Sequence, residues 1–240
     1  MNMEQDAPLS FNQAVRGITE FIEVAIHTIL YVRQVYPAEI FVRRKKYNTP
    51  VFQSRHPALN EYISGAVKAV ADELALGNVD KVIVVIKDKE DVALERFIFA
   101  IQSMVQVEAY NKETGVEGAM AGPVLGQYFR SFLIKLSMVE SQLGQLGLGD
   151  DVSFSIVIEL KDDKAPSVTH GKDPPPWVPA TLQHTTTGAS EEAELHLLRA
   201  VETGIINLSL AVQESEHKLS LAREEYVPIT SGKGKERAVE

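Results

Sequence analysis

The chain has 240 residues, 45% of them hydrophobic and 24% charged, with a net charge of −9. Those proportions support one packed domain and exclude collagenous or wholly disordered readings. The acidic balance excludes a protein that grips bare nucleic acid with its whole surface, so any basic contact has to be local. Without cysteine there is no disulfide, thiolate metal site or thiol nucleophile. The first residues lack a basic start followed by an apolar stretch, and the aliphatic run Val82 to Ile86 is far shorter than the ~18–20 residues of a membrane span. A soluble intracellular protein is expected.

Ser10 and Gln13 form a capping box ahead of Phe11, Ala14, Ile18, Phe21, Ala25, Ile29 and Val32, whose spacing predicts a long, mostly buried helix to Val35. Pro37 stops it, having no N–H and forcing the preceding residue out of helical geometry. An extended segment follows to Phe52. Pro57 then opens a second helix carrying Leu59, Ile63, Ala66, Val70 and Leu74, and Gly77 closes it. Val82 to Ile86 reads as a strand covered on both faces, joined through Asp88 to Asp91 to a second strand from Leu94 to Ile101. A third helix runs from Val124 to Leu143, ended by Gly144, Gly147 and Gly149, and Val152 to Leu160 alternates as a strand.

Lys161 to Ser190 holds five of the eleven prolines and the only tryptophan, Trp177. A segment this long without element signals, against a prior of ~4–6 residues for a connection, is either a working part or a linker. Glu191 to Thr203 suits helix or strand; Ile206 to Val212 alternates as a strand; the polar chain from Ser215 predicts no structure.

The six histidines show no zinc-ligand spacing, and His27, among isoleucines, reads as a hydrogen-bonded core residue. Gly144 to Gly149 follows a helix and lacks the Lys-Ser/Thr pair of a phosphate loop. Nothing nominates an enzyme, a metal or a cofactor. Two features stand out. Arg33, Arg43, Arg44, Lys45, Lys46 and Arg55 face only Glu39 between residues 33 and 55, a turn face, an import signal or an acidic partner's footprint. Trp177 is a core plug or an anchor for a captured peptide.

Glu20 to Pro37, Ile40-Phe41, Arg44 to Val51 and His56 to Ile63, with Asp80 to Ile86, Asp88 to Glu90 and Arg130 to Lys135, closely resemble the HORMA-domain accessory subunits of translesion DNA polymerase zeta. The likeness spans Leu9 to Leu160 and continues weakly through Asp173 to Trp177 to about Glu214. It implies an α+β HORMA domain over residues 9–214: a core of three helices on a β-sheet (9–160), then a C-terminal safety belt (161–214) that wraps a partner peptide, with 215–240 as a disordered tail. It further implies a non-catalytic nuclear adaptor, present also in the cytoplasm, that clasps a peptide of the polymerase zeta catalytic subunit and supports error-prone lesion bypass. Other implied partners are the deoxycytidyl-transferase scaffold, a second HORMA copy and an AAA-family remodelling ATPase, with no nucleic acid held directly and no membrane. The alternative within the fold is a spindle-checkpoint, meiotic or autophagy adaptor.

By position, Tyr62 and Trp177 match peptide-holding aromatics of the family, and Tyr36, near the end of the first helix, is a further candidate, with ordinary core packing as the alternative for each. Arg130 and Lys135 match residues of HORMA–HORMA pairing, with Arg43 and Glu140 as neighbours. Leu195 agrees with the family's scaffold-binding surface, whereas Ser209 and Ala211 stand where the family carries glutamine and tyrosine.

Overall fold

A computed structural model describes residues 7–106, 111–146, 151–162, 164–167 and 177–225. Helix α1 (Phe11–Val32) begins at the expected capping box, with Ser10 and Gln13 each bonding the other's backbone N–H. It ends three residues before the expected Val35, because Gln34 takes a left-handed φ of 52° that breaks the helical run. The extended segment becomes a hairpin of β1 (Phe41–Lys46) and β2 (Thr49–Ser54). Its two-residue turn, Tyr47-Asn48, has positive φ at both positions, the requirement of the mirror-type turn that matches strand twist. Phe52 stacks on Tyr31 of α1 with ring centroids 3.5 Å apart.

Helix α2 (Pro57–Ala75) starts on His56, whose ring accepts from Leu59 N–H, with Pro57 in the first turn where its missing N–H costs nothing. Helix α3 (Gly122–Ser137) is shorter than the expected run to Leu143; the rest is a separate turn, α4 (Glu140–Leu143). The five-stranded sheet has the order β5-β3-β4-β7-β6, every pair antiparallel. Its strands are β3 (Val79–Lys87), β4 (Ala93–Ser103), β5 (Ser153–Leu160), β6 (Glu194–Glu202) and β7 (Ile206–Glu214). Residues 191–203, open between helix and strand in the sequence, thus supply an edge strand. A last helix, α5 (Glu216–Glu225), lies where the polar composition predicts no structure; residues 226–240 lie outside the described ones.

Helices α1 to α3 cover one sheet face. Phe21 of α1 stacks on Phe129 of α3 at 4.5 Å and meets Phe99 of β4 edge-on at 6.2 Å. Val82, Val84 and Ile86 of β3 join this main core, while Ile83 and Val85 enter a second cluster with Ala93, Ile98 and Val157 on the outer face. The double-sided burial expected of the β-branched run is what the structure has.

His27 sits within the main core, its Nδ1 accepting Ser54 N–H at 3.4 Å. Burial pushes its pKa from 6.5 down to about 4. Between those values the unfolded chain binds a proton that the folded chain refuses, so acidification favours unfolding. His27 should therefore remove about 3 kcal/mol of stability between pH 7 and pH 4. Urea denaturation of wild type and His27→Gln at both pH values checks this; equal acid sensitivity of the two proteins would refute it.

Candidate peptide groove at the free edge of the sheet

Strand β5 pairs with β3 on one side only, and among the described residues no strand occupies its other side. In an antiparallel strand alternate residues turn N–H and C=O away from the partner, so this edge offers a row of unpaired donors and acceptors. Ile156 N–H is one of them and donates to the Tyr62 hydroxyl at 3.3 Å. Tyr62, projected by α2, is 46% exposed. Its ring meets Phe154 of β5 edge-on at 5.6 Å, and Tyr36, beyond the end of α1, meets the same ring at 6.2 Å. Burial and then the neighbouring Tyr62 push the Tyr36 phenol up. Tyr36 and Tyr62, 26 residues apart, therefore converge on Phe154. The sequence reading missed Phe154 because it sits on the core-facing register of an alternating strand.

The chain after β5 is held on both sides of that strand. On the helix side, Ser167 N–H and Oγ donate to the buried Glu73 of α2, and Trp177 packs half-buried against the main core. On the outer face, Thr186 N–H and Oγ donate to Glu159 of β5, which also accepts from Lys81 at 2.8 Å. Burial opposes the Glu159 charge, but the hydrogen bonds from Lys81 and Thr186 prevail and hold its carboxyl below the usual range. Arg96 of β4, 3% exposed, donates to the Gln183 carbonyl, and His184 Nε2 approaches the Asp91 carbonyl at 2.9 Å. Residues 163 and 168–176, including the proline run before Trp177, lie outside the described ones.

Elsewhere the expected residues separate into two surfaces. Arg130 and Lys135 are exposed on α3, Arg43 is exposed on β1, and Glu140 lines a cleft of about 650 Å³ with Tyr31, Tyr36, Pro37 and Ser137. Among the described residues Arg43 and Glu140 form no ion pair. Leu195, Ser209 and Ala211 share the outer sheet face, Leu195 being 62% exposed. Leu197, opposite Ala211 and 68% exposed, extends that face. A register irregularity between Leu197 and Arg199 lets Leu198 and Val201, three residues apart, both face the core, a helix-like spacing that hid Leu197 in a segment readable as helix. Glu194, His196 and Glu214 gather at the end of the β6–β7 hairpin, but the Glu214 carboxylate is already taken by Lys218 and His196.

A helical layer on one face of an antiparallel sheet, with the segment before the last hairpin fastened to both faces of the opposite edge strand, defines a two-layer α+β domain. The model of the HORMA domain matches residues 15–121, and the chain belongs to the HORMA-domain family. It is similar to the human mitotic spindle assembly checkpoint protein MAD2B, 34% identical over 216 residues that cover 88% of this chain and 95% of the relative. It is likewise similar to the DNA polymerase zeta processivity subunits of Schizosaccharomyces pombe, 33% identical over 67% of this chain and 75% of that one, and of Arabidopsis thaliana, 34% identical over 68% and 70%. These names support a HORMA adaptor. Among solved structures, a chain of the mitotic checkpoint complex superposes with a TM-score of 0.67 at 21% identity, covering 84% of this chain and 98% of that one. Caenorhabditis elegans HTP-2 bound to a HIM-3 closure motif gives 0.66 at 11%, covering 87% and 93%. Both likenesses bear on the fold alone.

Proposed function

We propose that the chain is the accessory subunit of a translesion DNA polymerase zeta, working in the nucleus as a non-catalytic adaptor. It captures a short extended peptide of the polymerase catalytic subunit as an added strand on β5. The observation that carries this reading is the free β5 edge, flanked by Tyr62 and Tyr36 and strapped from both sides by the segment that holds Trp177. Strand addition satisfies the exposed N–H and C=O groups, alternate side chains set the register, and a strap over the guest slows its escape more than it speeds its entry. The names of the polymerase zeta relatives supply the client, and the exposed face of Leu195 and Leu197 fits a second contact with the transferase scaffold. Remodelling by an AAA-family ATPase and pairing through Arg130 and Lys135 complete the proposed cycle.

Titration of the purified protein with peptides tiled along the polymerase zeta catalytic subunit tests the reading. One peptide should bind, and it should slow amide exchange at Ile156 and Ile158. Relatives carry a checkpoint name, so spindle-checkpoint peptides form the second arm. Binding confined to that arm, or to neither, would reject the polymerase assignment.

A further inference from the structure

The ion pairs divide the molecule's cations unevenly. Lys81, Lys87 and Lys89, on β3 and the turn behind it, each lie within 4.0 Å of a carboxylate. Arg43, Arg44 and Lys45 on the β1–β2 hairpin are exposed, and no described carboxylate reaches any of them within that distance. Lys46 is paired with Glu20, and Arg55 is spent partly on the Glu39 carbonyl.

Three consecutive strand residues are rarely all exposed, since successive side chains point to opposite faces. Here they are because the ribbon forms its own two-stranded sheet, with β2 seated against the helices by Val51, Phe52 and the turn residue Tyr47, whose ring meets Phe129 of α3 at 5.2 Å, and β1 left as the outer strand. The remaining exposed side chains of the ribbon are polar or small: Asn48, Pro50, Gln53 and Arg55.

We infer that this ribbon is a binding site for the phosphate backbone of duplex nucleic acid. Arginine matches phosphate geometry with paired donors, and contacts to the phosphate backbone need no insertion of the ribbon into a groove. An acidic protein surface is the weaker fit, because tight protein contacts need buried apolar anchors and this ribbon keeps its apolar side chains under itself. An import signal fits less well still. Arg43 to Lys46 are each paired across the hairpin with Phe52, Val51, Pro50 and Thr49, so that stretch is not free to be threaded as an extended peptide. The net charge of −9 argued against nucleic-acid contact only for the surface as a whole, and here three cations stand side by side on one outer strand. The inference is independent of the peptide groove.

The test is fluorescence anisotropy of the full chain with a labelled random-sequence duplex of about 20 base pairs over a salt series. Three neutralised phosphates predict a slope of log affinity against log salt of about −3. The triple variant Arg43→Ala, Arg44→Ala, Lys45→Ala should bring that slope close to zero, Arg43→Lys with Arg44→Lys should keep it, and Lys89→Ala should leave it unchanged. An unaltered slope in the triple variant, or no binding by wild type at low salt, overturns the inference. So does displacement of the duplex by poly-glutamate as effectively as by unlabelled DNA, which would assign the ribbon to an acidic protein. Loss of nuclear accumulation in the triple variant with DNA binding intact would assign it to import and overturn it equally. Circular dichroism confirms that each variant is folded before it is compared.

Discussion

Glu95→Ala is expected to destabilise the protein by about 3–5 kcal/mol, the cost of leaving buried charges without their partner. Glu95 is fully buried on β4 and accepts from Arg33 Nε and Nη2 at 2.9 and 2.7 Å and from Lys218 Nζ at 2.6 Å. Lys218 of α5 reaches on to Glu214 of β7 and to the Leu143 carbonyl at 2.9 Å, and Glu214 meets His196 of β6 at 3.1 Å. Two cations and two carboxylates thus tie the end of α1, the start of β4, the C-terminal hairpin and α5 together. Without Glu95, Arg33 keeps no carboxylate within 4.0 Å among the described residues, and both cations stay dry. For a chain of this size the loss corresponds to a fall in Tm of about 6–20 °C. Lys218→Met should cost less, since Arg33 still holds Glu95 and His196 still holds Glu214. Replacing Arg33, Glu95 and Lys218 together with apolar residues should recover much of the loss, because the desolvation penalty goes with the charges. Thermal and urea denaturation decide it; a Glu95→Ala protein within 0.5 kcal/mol of wild type would show that the network holds nothing in place.

This network also marks where sequence reasoning stopped. Its members lie at positions 33, 95, 214 and 218, and no local pattern announces that the C-cap residue of α1 and a lysine in a polar tail meet at one carboxylate. For that reason α5 was expected to be disordered: a ten-residue segment with only Leu219, Leu221 and Ala222 as apolar residues, taken alone, buries too little to order itself, and the ordering comes from Lys218 plugging a charged site already built by other elements. By contrast α1, α2, β3, β4 and β7 were legible, because period, caps and stops are local and agree with the tertiary structure. The hairpin was read only as extended chain, since Tyr47-Asn48 is a weaker turn signal than Asn-Gly. The groove was half legible. Tyr36, Tyr62 and Trp177 came from resemblance, whereas Phe154, which receives two of those rings, and the anchors Glu73, Glu159, Arg96 and Thr186 depend on a strap path that no spacing encodes.

That strap path sets the second large effect. Trp177→Ala should speed dissociation of the peptide proposed to bind β5 by roughly 30- to 1000-fold, equivalent to about 2–4 kcal/mol for an aromatic anchor, with a much smaller rise in the association rate. The reasoning is mechanical. In the proposed complex a guest strand on β5 leaves as the strap loosens, and the described parts of the strap are fastened on the helix side by Trp177 and Ser167 and on the outer face by Thr186 and Gln183. Removing the indole loosens the helix-side fastening while the sheet beneath keeps its own core. Glu159→Gln loosens the other side by weakening its bonds to Lys81 and Thr186, and should raise both the off-rate and the on-rate, since an open strap also admits peptide faster. Acid should act like Glu159→Gln: a carboxyl held below its usual range contributes its fastening above that range and loses it as pH falls through the folded value. Tyr62→Phe, which removes the hydroxyl from Ile156 N–H but keeps the ring on Phe154, should matter far less than Tyr62→Ala. Stopped-flow dissociation of a fluorescent client peptide separates these cases. If Trp177→Ala releases peptide at the wild-type rate while remaining folded, the segment is a passive connection and the groove is held shut by something else.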